Sequence, residues 1–455
     1  MTRSSLRPTS PVDEPAPHGE MAAAPNRPIP AYFYPLLSPA DAPDREMTAA
    51  LRGLLRSSPA EKHRTLVYVH VPFCHSHCAF CSFYRHTVRD DERLFRTYVD
   101  RVLAELDCWL EAGVLAWSEI EAVYVGGGTP SVLPAPVAEH LVAGLRRALP
   151  LHPGAEISFE GEARTLRNSA LVGTLREAGV TRISYGVQSF APEVRQASAL
   201  GATLEDVQAC GETLRRFDYP IALDLMYGLP AQSLELFHDD LARATEEQGA
   251  ALIDLYGVVL YPTAPLLRDA ARVARARLPT SAAHFAMYEH ALGYLAERGY
   301  AQLSFEDFSL PGGEYRMKDL TYGGQDGRAQ TLALGACAVG YMAGHAYRNE
   351  VLEHYLERPV GELAMARLRR ASVAERRRRA LFFYPRRLGL DPNLLREPLA
   401  PEDQALLSEH VALGFAERAA NGRLTLTKRG KVHADQLVHS LLGHEEARKL
   451  FRLVQ

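Results

Sequence analysis

The chain predicts an α/β fold of parallel β/α units, and three observations carry that prediction. Short β-rich runs alternate with helix-like stretches between residues 65 and 260. Strict alternation calls for crossover connections, which set consecutive strands parallel. The residues of chemical character follow the strand-like runs, where parallel barrels carry their sites. Beyond residue 260 the alternation stops, so a different architecture is expected there.

Residues 1–30 are rich in Pro, Ala and Ser without an apolar core segment, and read as a disordered tail and not a signal peptide. A helical preamble (residues 31–60) holds one helix from Asp44 to Leu55. Six strand-like runs follow at Thr65–Val71, Ala122–Val125, Glu156–Glu160, Arg182–Val187, Ala222–Met226 and Leu252–Leu260. Helix-like stretches lie between them at Arg93–Ala112, Ala135–Ala148, Leu171–Ala178 and Leu204–Arg216. Past Leu260 come an amphipathic helix at Ala283–Arg298 and a strand-like Ala301–Phe308. The small-residue run Gly335 to Gly340 suits either a cofactor passing close to backbone or a tight structural turn. From Pro359 onward, the run Glu375-Arg376-Arg377-Arg378-Arg379 reads as a solvated helix face. It leads to a pattern of helix, β-wing and final helix around Leu413 to Gly430.

Composition narrows the function. The chain has 455 residues, of which 47% are hydrophobic and 23% charged, with a formal net charge of −4. That balance argues against nucleic acid as the main partner despite the winged shape. No apolar run reaches the roughly 20 residues of a membrane span. With only six cysteines, three of them in one loop, the chain fits a reducing, cytoplasmic setting.

Those three are Cys74, Cys78 and Cys81, spaced C-x3-C-x2-C. Three thiolates on one loop can hold three irons of a [4Fe–4S] cube and leave the fourth open to a ligand. A zinc knuckle needs a fourth ligand and a second paired unit, and Cys108, Cys210 and Cys337 are isolated. After the second strand-like run comes Gly126-Gly127-Gly128-Thr129-Pro130, where glycines let backbone groups approach a charged ligand.

The cysteine run, with Phe80 before Cys81, together with the glycine run, resembles the radical S-adenosylmethionine enzymes. Val69-His70-Val71-Pro72-Phe73-Cys74, Tyr185 to Phe190 and Asp224 to Pro230 resemble the oxygen-independent coproporphyrinogen III oxidase-like group. That group includes the oxidase, a haem chaperone, haem-utilisation enzymes and class C methyltransferases. The resemblance implies a partial (β/α)6 TIM-like barrel (residues 61–265), a barrel-covering extension (266–358) and a C-terminal α+β winged-helix-like module (359–455). It implies that Cys74, Cys78 and Cys81 hold the cluster. It places Phe80 beside the adenine and Gly127, Gly128 and Thr129 at the methionine end of the cofactor. Glu160, Gln188 and Asp224 become strand-end contacts to S-adenosylmethionine, and Tyr68 lies near substrate or sulfonium.

The implied chemistry is one-electron reduction from a flavodoxin- or ferredoxin-type donor, cleavage of S-adenosylmethionine, and a 5′-deoxyadenosyl radical acting in a shielded chamber. Enzymes of the group often bind a second S-adenosylmethionine, and Gly335 to Gly340 is where this chain would seat it. The group usually has an Arg where this chain has Leu200, a contact that Arg195 is the nearest residue to replace. Ser82 stands where the oxidase has a fourth Cys. Both departures favour methyl transfer or related radical chemistry on a tetrapyrrole, as in anaerobic haem utilisation, or on an aromatic metabolite. The alternatives are oxidative decarboxylation by a coproporphyrinogen III dehydrogenase, and a haem-binding chaperone with His70, His75 or His77 as ligands.

Overall fold

A computed structural model describes residues 32–43, 45–259, 264–268, 277–313 and 316–442. The expected tail, Ala31, Asp44 and Leu260 lie outside the described residues.

The six expected strands form: β1 (His63–Val71), β2 (Ser118–Gly127), β3 (Leu151–Glu162), β4 (Arg182–Gln188), β5 (Ala222–Tyr227) and β6 (Leu252–Gly257). The helices are α1 (Arg45–Leu55), α2 (Glu92–Glu111), α3 (Ala135–Ala148), α4 (Ser169–Glu177), α5 (Leu204–Arg216) and α6 (Leu234–Ala242). Side-chain caps fix several helix starts: Asp91 accepts from the Leu94 amide at α2, and Thr203 with Asp206 forms a capping box at α5.

Beyond them lie α7 (Ser281–Glu297), β7 (Ala301–Gln302), β8 (Asp307–Ser309), α8 (Arg316–Thr321), β9 (Gln330–Leu334), β10 (Val339–Met342), β11 (His345–Asn349), β12 (Met365–Arg370) and α9 (Val373–Phe383). The expected single strand at Ala301–Phe308 is a hairpin instead. The Leu303 amide donates to the Asp307 carbonyl at 2.8 Å and folds β7 back on β8.

All twelve strands join one sheet in the order β12-β11-β10-β9-β1-β2-β3-β4-β5-β6-β8-β7. From β9 to β6 neighbouring strands run parallel, and the outer strands add antiparallel. The order is linear and never closes on itself, which is the topology of a partial barrel. Val67, Val69 and Val71 of β1 face the helix layer, where they meet α2 and α3. Leu66 and Tyr68 face the other way, with Ala122 and Tyr124 of β2 and Met317 and Leu320 of α8. Helix α8 therefore lies on the inner face of the barrel, near the start of β1 and β2. Residues after 277 thus extend the sheet at both edges and plug its interior.

The C-terminal part has a three-stranded sheet of β13 (Gly389–Leu390), β14 (Ala416–Arg418) and β15 (Leu424–Leu426). It also has α10 (Pro401–Ala412), α11 (Lys428–Val432) and α12 (Ala434–Leu441). The helix, wing and final helices match the winged-helix-like expectation. The arginine run forms a solvated face only in part: Arg376 and Arg377 are exposed, Arg378 is half-buried and Arg379 is buried. Arg376 donates to the Ala371 carbonyl, Arg377 pairs with Glu397, and Arg378 pairs with Asp403 at 3.1 Å. Arg379 is buried, donates to the carbonyls of Tyr34, Gly327 and Ala329, and lies 4.0 Å over the Tyr341 ring. These charges tie the N-terminal segment, α9 and the module together. Among the described residues, no helix is long and apolar enough to cross a membrane.

Candidate functional site

The cysteine loop leaves β1 at the C-terminal end of the sheet, and backbone bonds fix its course. The Ala79 amide donates to the Ser198 carbonyl and the Leu266 amide to the Ala79 carbonyl, at 2.9 and 2.8 Å. Arg85 donates to the carbonyls of Cys81 and Phe83 at 3.0 and 2.9 Å. All three thiols are free, and burial pushes Cys74 up to about 11 and Cys78 up to about 12. Iron must therefore displace their protons to bind. Among the described residues, no three His, Cys, Asp or Glu side chains gather around one metal position.

The glycine run is built against this loop. The Gly128 amide donates to the Val71 carbonyl and the Thr129 amide to the Phe73 carbonyl, at 2.8 and 2.7 Å. The Thr129 hydroxyl donates to Cys74 Sγ at 3.4 Å. A Cβ on Gly128 would stand 2.7 Å from the Phe73 carbonyl oxygen. One on Gly127, at φ +114°, would meet the His70 ring at 2.6 Å. The glycines thus let two backbones cross beside the thiols, a packing need that sequence alone did not separate from ligand binding.

Around that crossing stand the other expected residues. Glu160 accepts from the Gly127 amide at 3.1 Å, and burial raises its carboxyl to about 7. Gln188 closes β4 with a left-handed φ of 66°, and its Oε1 is buried with no hydrogen-bond partner. A strained residue with an unpaired buried acceptor at a strand end fits a contact to a ligand. Asp224 lies within β5, three residues short of its end, and not at the terminus as expected. Burial, then Asp254 and Glu160, push its carboxyl well up. Tyr68 bonds to His70 Nδ1 at 2.7 Å and stacks on Tyr124. Phe80 packs on Ala191, Val194, Met226, Leu229 and Val258, next to the ends of β4, β5 and β6.

Three other expectations need correcting. Arg195 is buried and donates to the carbonyls of Val187, Ser189 and Ala202, so it cannot replace the contact absent at Leu200. In the small-residue run, a Cβ on Gly335 would meet His70 O and Tyr98 Oη at 2.5 Å, and one on Gly340 the Tyr347 ring at 2.3 Å. The run is the tight turn, locked by Glu105, which accepts from the Gly335 amide, Asn349 and Tyr355, so its two glycines serve close packing of the chain on itself. His70 has both ring nitrogens engaged, by the Tyr68 hydroxyl and the Tyr84 carbonyl, which leaves neither for a haem iron.

Sequence reading missed Arg182, Asp254, Asp307 and Lys318, which share the barrel interior with Glu160 and Asp224. Strand alternation could have flagged the acids on β5 and β6, but nothing in the sequence placed Lys318 of α8 among them.

A cysteine loop at the end of the first strand, a glycine crossing and a polar inner rim on a partial barrel define a class of protein. The family described as "Radical SAM superfamily" matches residues 68–244. Anaerobilin synthase from Escherichia coli O157:H7 is 30% identical over 292 residues, 64% of this chain and 64% of its own length. The heme chaperone HemW of Mycobacterium tuberculosis is 31% identical over 396 residues, 83% of this chain and 94% of its own. In fold, coproporphyrinogen III oxidase from Escherichia coli superposes with a TM-score of 0.72 at 21% identity, covering 90% of this chain and 96% of that one. The chain belongs to the radical S-adenosylmethionine superfamily, in the group that holds these chaperones, the oxygen-independent coproporphyrinogen III oxidases and anaerobilin synthase. Members of the family bind a [4Fe–4S] cluster and S-adenosylmethionine, and the orphan acceptor of Gln188 and the free thiol triad fit both.

Proposed function

We propose that this chain is a radical S-adenosylmethionine enzyme of tetrapyrrole metabolism, acting by methyl transfer or related radical chemistry, as in anaerobic haem utilisation. The observation that carries the reading is Gln188. A left-handed residue with a buried, unpartnered Oε1 stands at the rim beside Glu160 and Asp224. An acceptor so placed suits a polar group of the bound cofactor. The tetrapyrrole class is supported by the relatives, which include an anaerobilin synthase, a coproporphyrinogen III oxidase and a heme chaperone.

When bound, the cluster and S-adenosylmethionine supply reductive sulfonium cleavage and a reactive carbon radical. The chain's residues do the rest. Cys74, Cys78 and Cys81 hold the cluster, Thr129 donates to Cys74, and Phe80 offers an apolar face for the adenine. Glu160, Gln188 and Asp224 accept from the cofactor's ammonium and hydroxyl groups. Tyr68, its hydroxyl fixed on His70, faces the chamber and would orient the substrate. Helix α8 closes the inner face from below and keeps water from that side. A flavodoxin- or ferredoxin-type donor would supply the electron.

A haem-chaperone role is the second reading, favoured by the breadth of the likeness to HemW. The test is anaerobic reconstitution, then incubation with dithionite, S-adenosylmethionine and haem, read by mass spectrometry. A methylated linear tetrapyrrole formed with loss of haem supports the enzyme. Haem bound stoichiometrically and recovered intact, without 5′-deoxyadenosine, supports the chaperone.

A further inference from the structure

Three aspartates stand side by side on adjacent strands inside the barrel. Asp224 of β5 pairs in register with Asp254 of β6, which pairs with Asp307 of β8. Directly paired residues point to the same face, and like charges so placed repel. Asp254 and Asp307 are buried, and Asp224 is half-buried at the end of the row nearest the cofactor rim. Such a row persists where cations offset it or where some of its carboxyls hold their protons.

The charged groups facing the row can be named. Arg182 Nη2 lies 3.7 Å from Asp254. Glu306, next to Asp307, pairs with Arg386 at 3.6 Å, and Arg386 also pairs with Asp435. Lys318 arrives on α8, 3.1 Å from Asp307 and 3.9 Å from Glu306, and its ammonium donates to Tyr256 Oη at 2.8 Å. Lys318 and Asp307 also line a cavity of about 590 Å³ at the opposite end of the barrel from the cysteine loop, with Arg64, Arg316 and Arg387. The row thus runs from that cavity to the cofactor rim.

We propose that Lys318 is a positioning residue for the cofactor: from the plugging helix it offsets the Asp224–Asp254–Asp307 row and so favours the charged, hydrogen-bond-accepting form of Asp224 at the rim. The inference rests on the reading of Asp224 as a cofactor contact. The electrostatics agree with the geometry, since Lys318 lowers Asp224, Glu160 and Asp307 alike against the upward push of burial.

The test is the affinity of cluster-loaded protein for S-adenosylmethionine, by anaerobic equilibrium dialysis between pH 6 and 9. Without the cation the row should hold its protons to higher pH. Lys318→Met should therefore bind about tenfold more weakly at pH 7, the equivalent of one pKa unit, and recover as pH rises. Lys318→Arg should behave as the native protein does. The double variant Lys318→Met/Asp307→Asn removes one charge of each sign and should regain most of the affinity, which also guards against a simple folding defect. Loss of affinity that is equal at every pH, or that the double variant fails to regain, would overturn the inference. Asp224→Asn is the separate control: if it leaves affinity unchanged, the underlying cofactor reading fails instead.

Discussion

The two ends of the barrel are built on opposite principles. At the start of the strands, Arg64 pairs with Glu121 and Asp319, Arg387 pairs with Asp319, and Lys318 pairs with Asp307. Polar groups there are matched, and a helix fills the interior. At the other end Gln188 is strained and unpaired, Glu160 holds one amide, and the thiols are free. Ion pairs close the first end, whereas the second carries a strained residue that costs stability. The strained, unpaired Gln188 marks the rim as the end where a ligand would be received.

Substitutions can break that contrast. The largest effect falls on the loop: Cys78→Ser or Cys81→Ser should retain little iron after reconstitution and form no 5′-deoxyadenosine above background. Next comes Glu160. Its carboxyl is raised, so it stabilises fully only below its unfolded value near 4.5 and loses that contribution as pH climbs through about 7. Glu160→Gln should thus raise the stability of cluster-free protein at pH 8 by up to about 3 kcal/mol, with little change at pH 4, in urea unfolding.

Gly128→Ala forces a methyl against the Phe73 carbonyl and should cost about 1–3 kcal/mol, visible as a lower melting temperature together with poorer iron retention. The smallest effect sharpens the contrast most. Gln188→Gly releases a left-handed side chain and should gain roughly 1 kcal/mol while weakening S-adenosylmethionine binding. If affinity and stability fell together, Gln188 would be ordinary scaffolding.

The parallel strands were legible because buried parallel strands read as β-branched apolar runs, as in Leu66 to Val71. The cysteines and glycines were legible because their chemistry depends on short spacing. Long-range pairing was not. The charge of Arg376 to Arg379 announced a solvent face, which Arg376 and Arg377 do form, whereas Arg378 and Arg379 are held by residues distant in sequence. Arg195 looked free to bind a carboxylate, but local carbonyls use its donors. Lys318 sits in a short helix with no barrel signature, and only the fold carries it among the aspartates.

The most direct test compares cluster-loaded native protein with Gln188→Ala and Asp224→Asn for anaerobic, dithionite-driven formation of 5′-deoxyadenosine at saturating and limiting S-adenosylmethionine. The native chain should form it, and both variants should lose most of that activity at limiting cofactor while keeping their iron. A fully loaded native protein that forms none would contradict the enzyme reading and favour the chaperone. Variants indistinguishable from native would move the cofactor away from this rim.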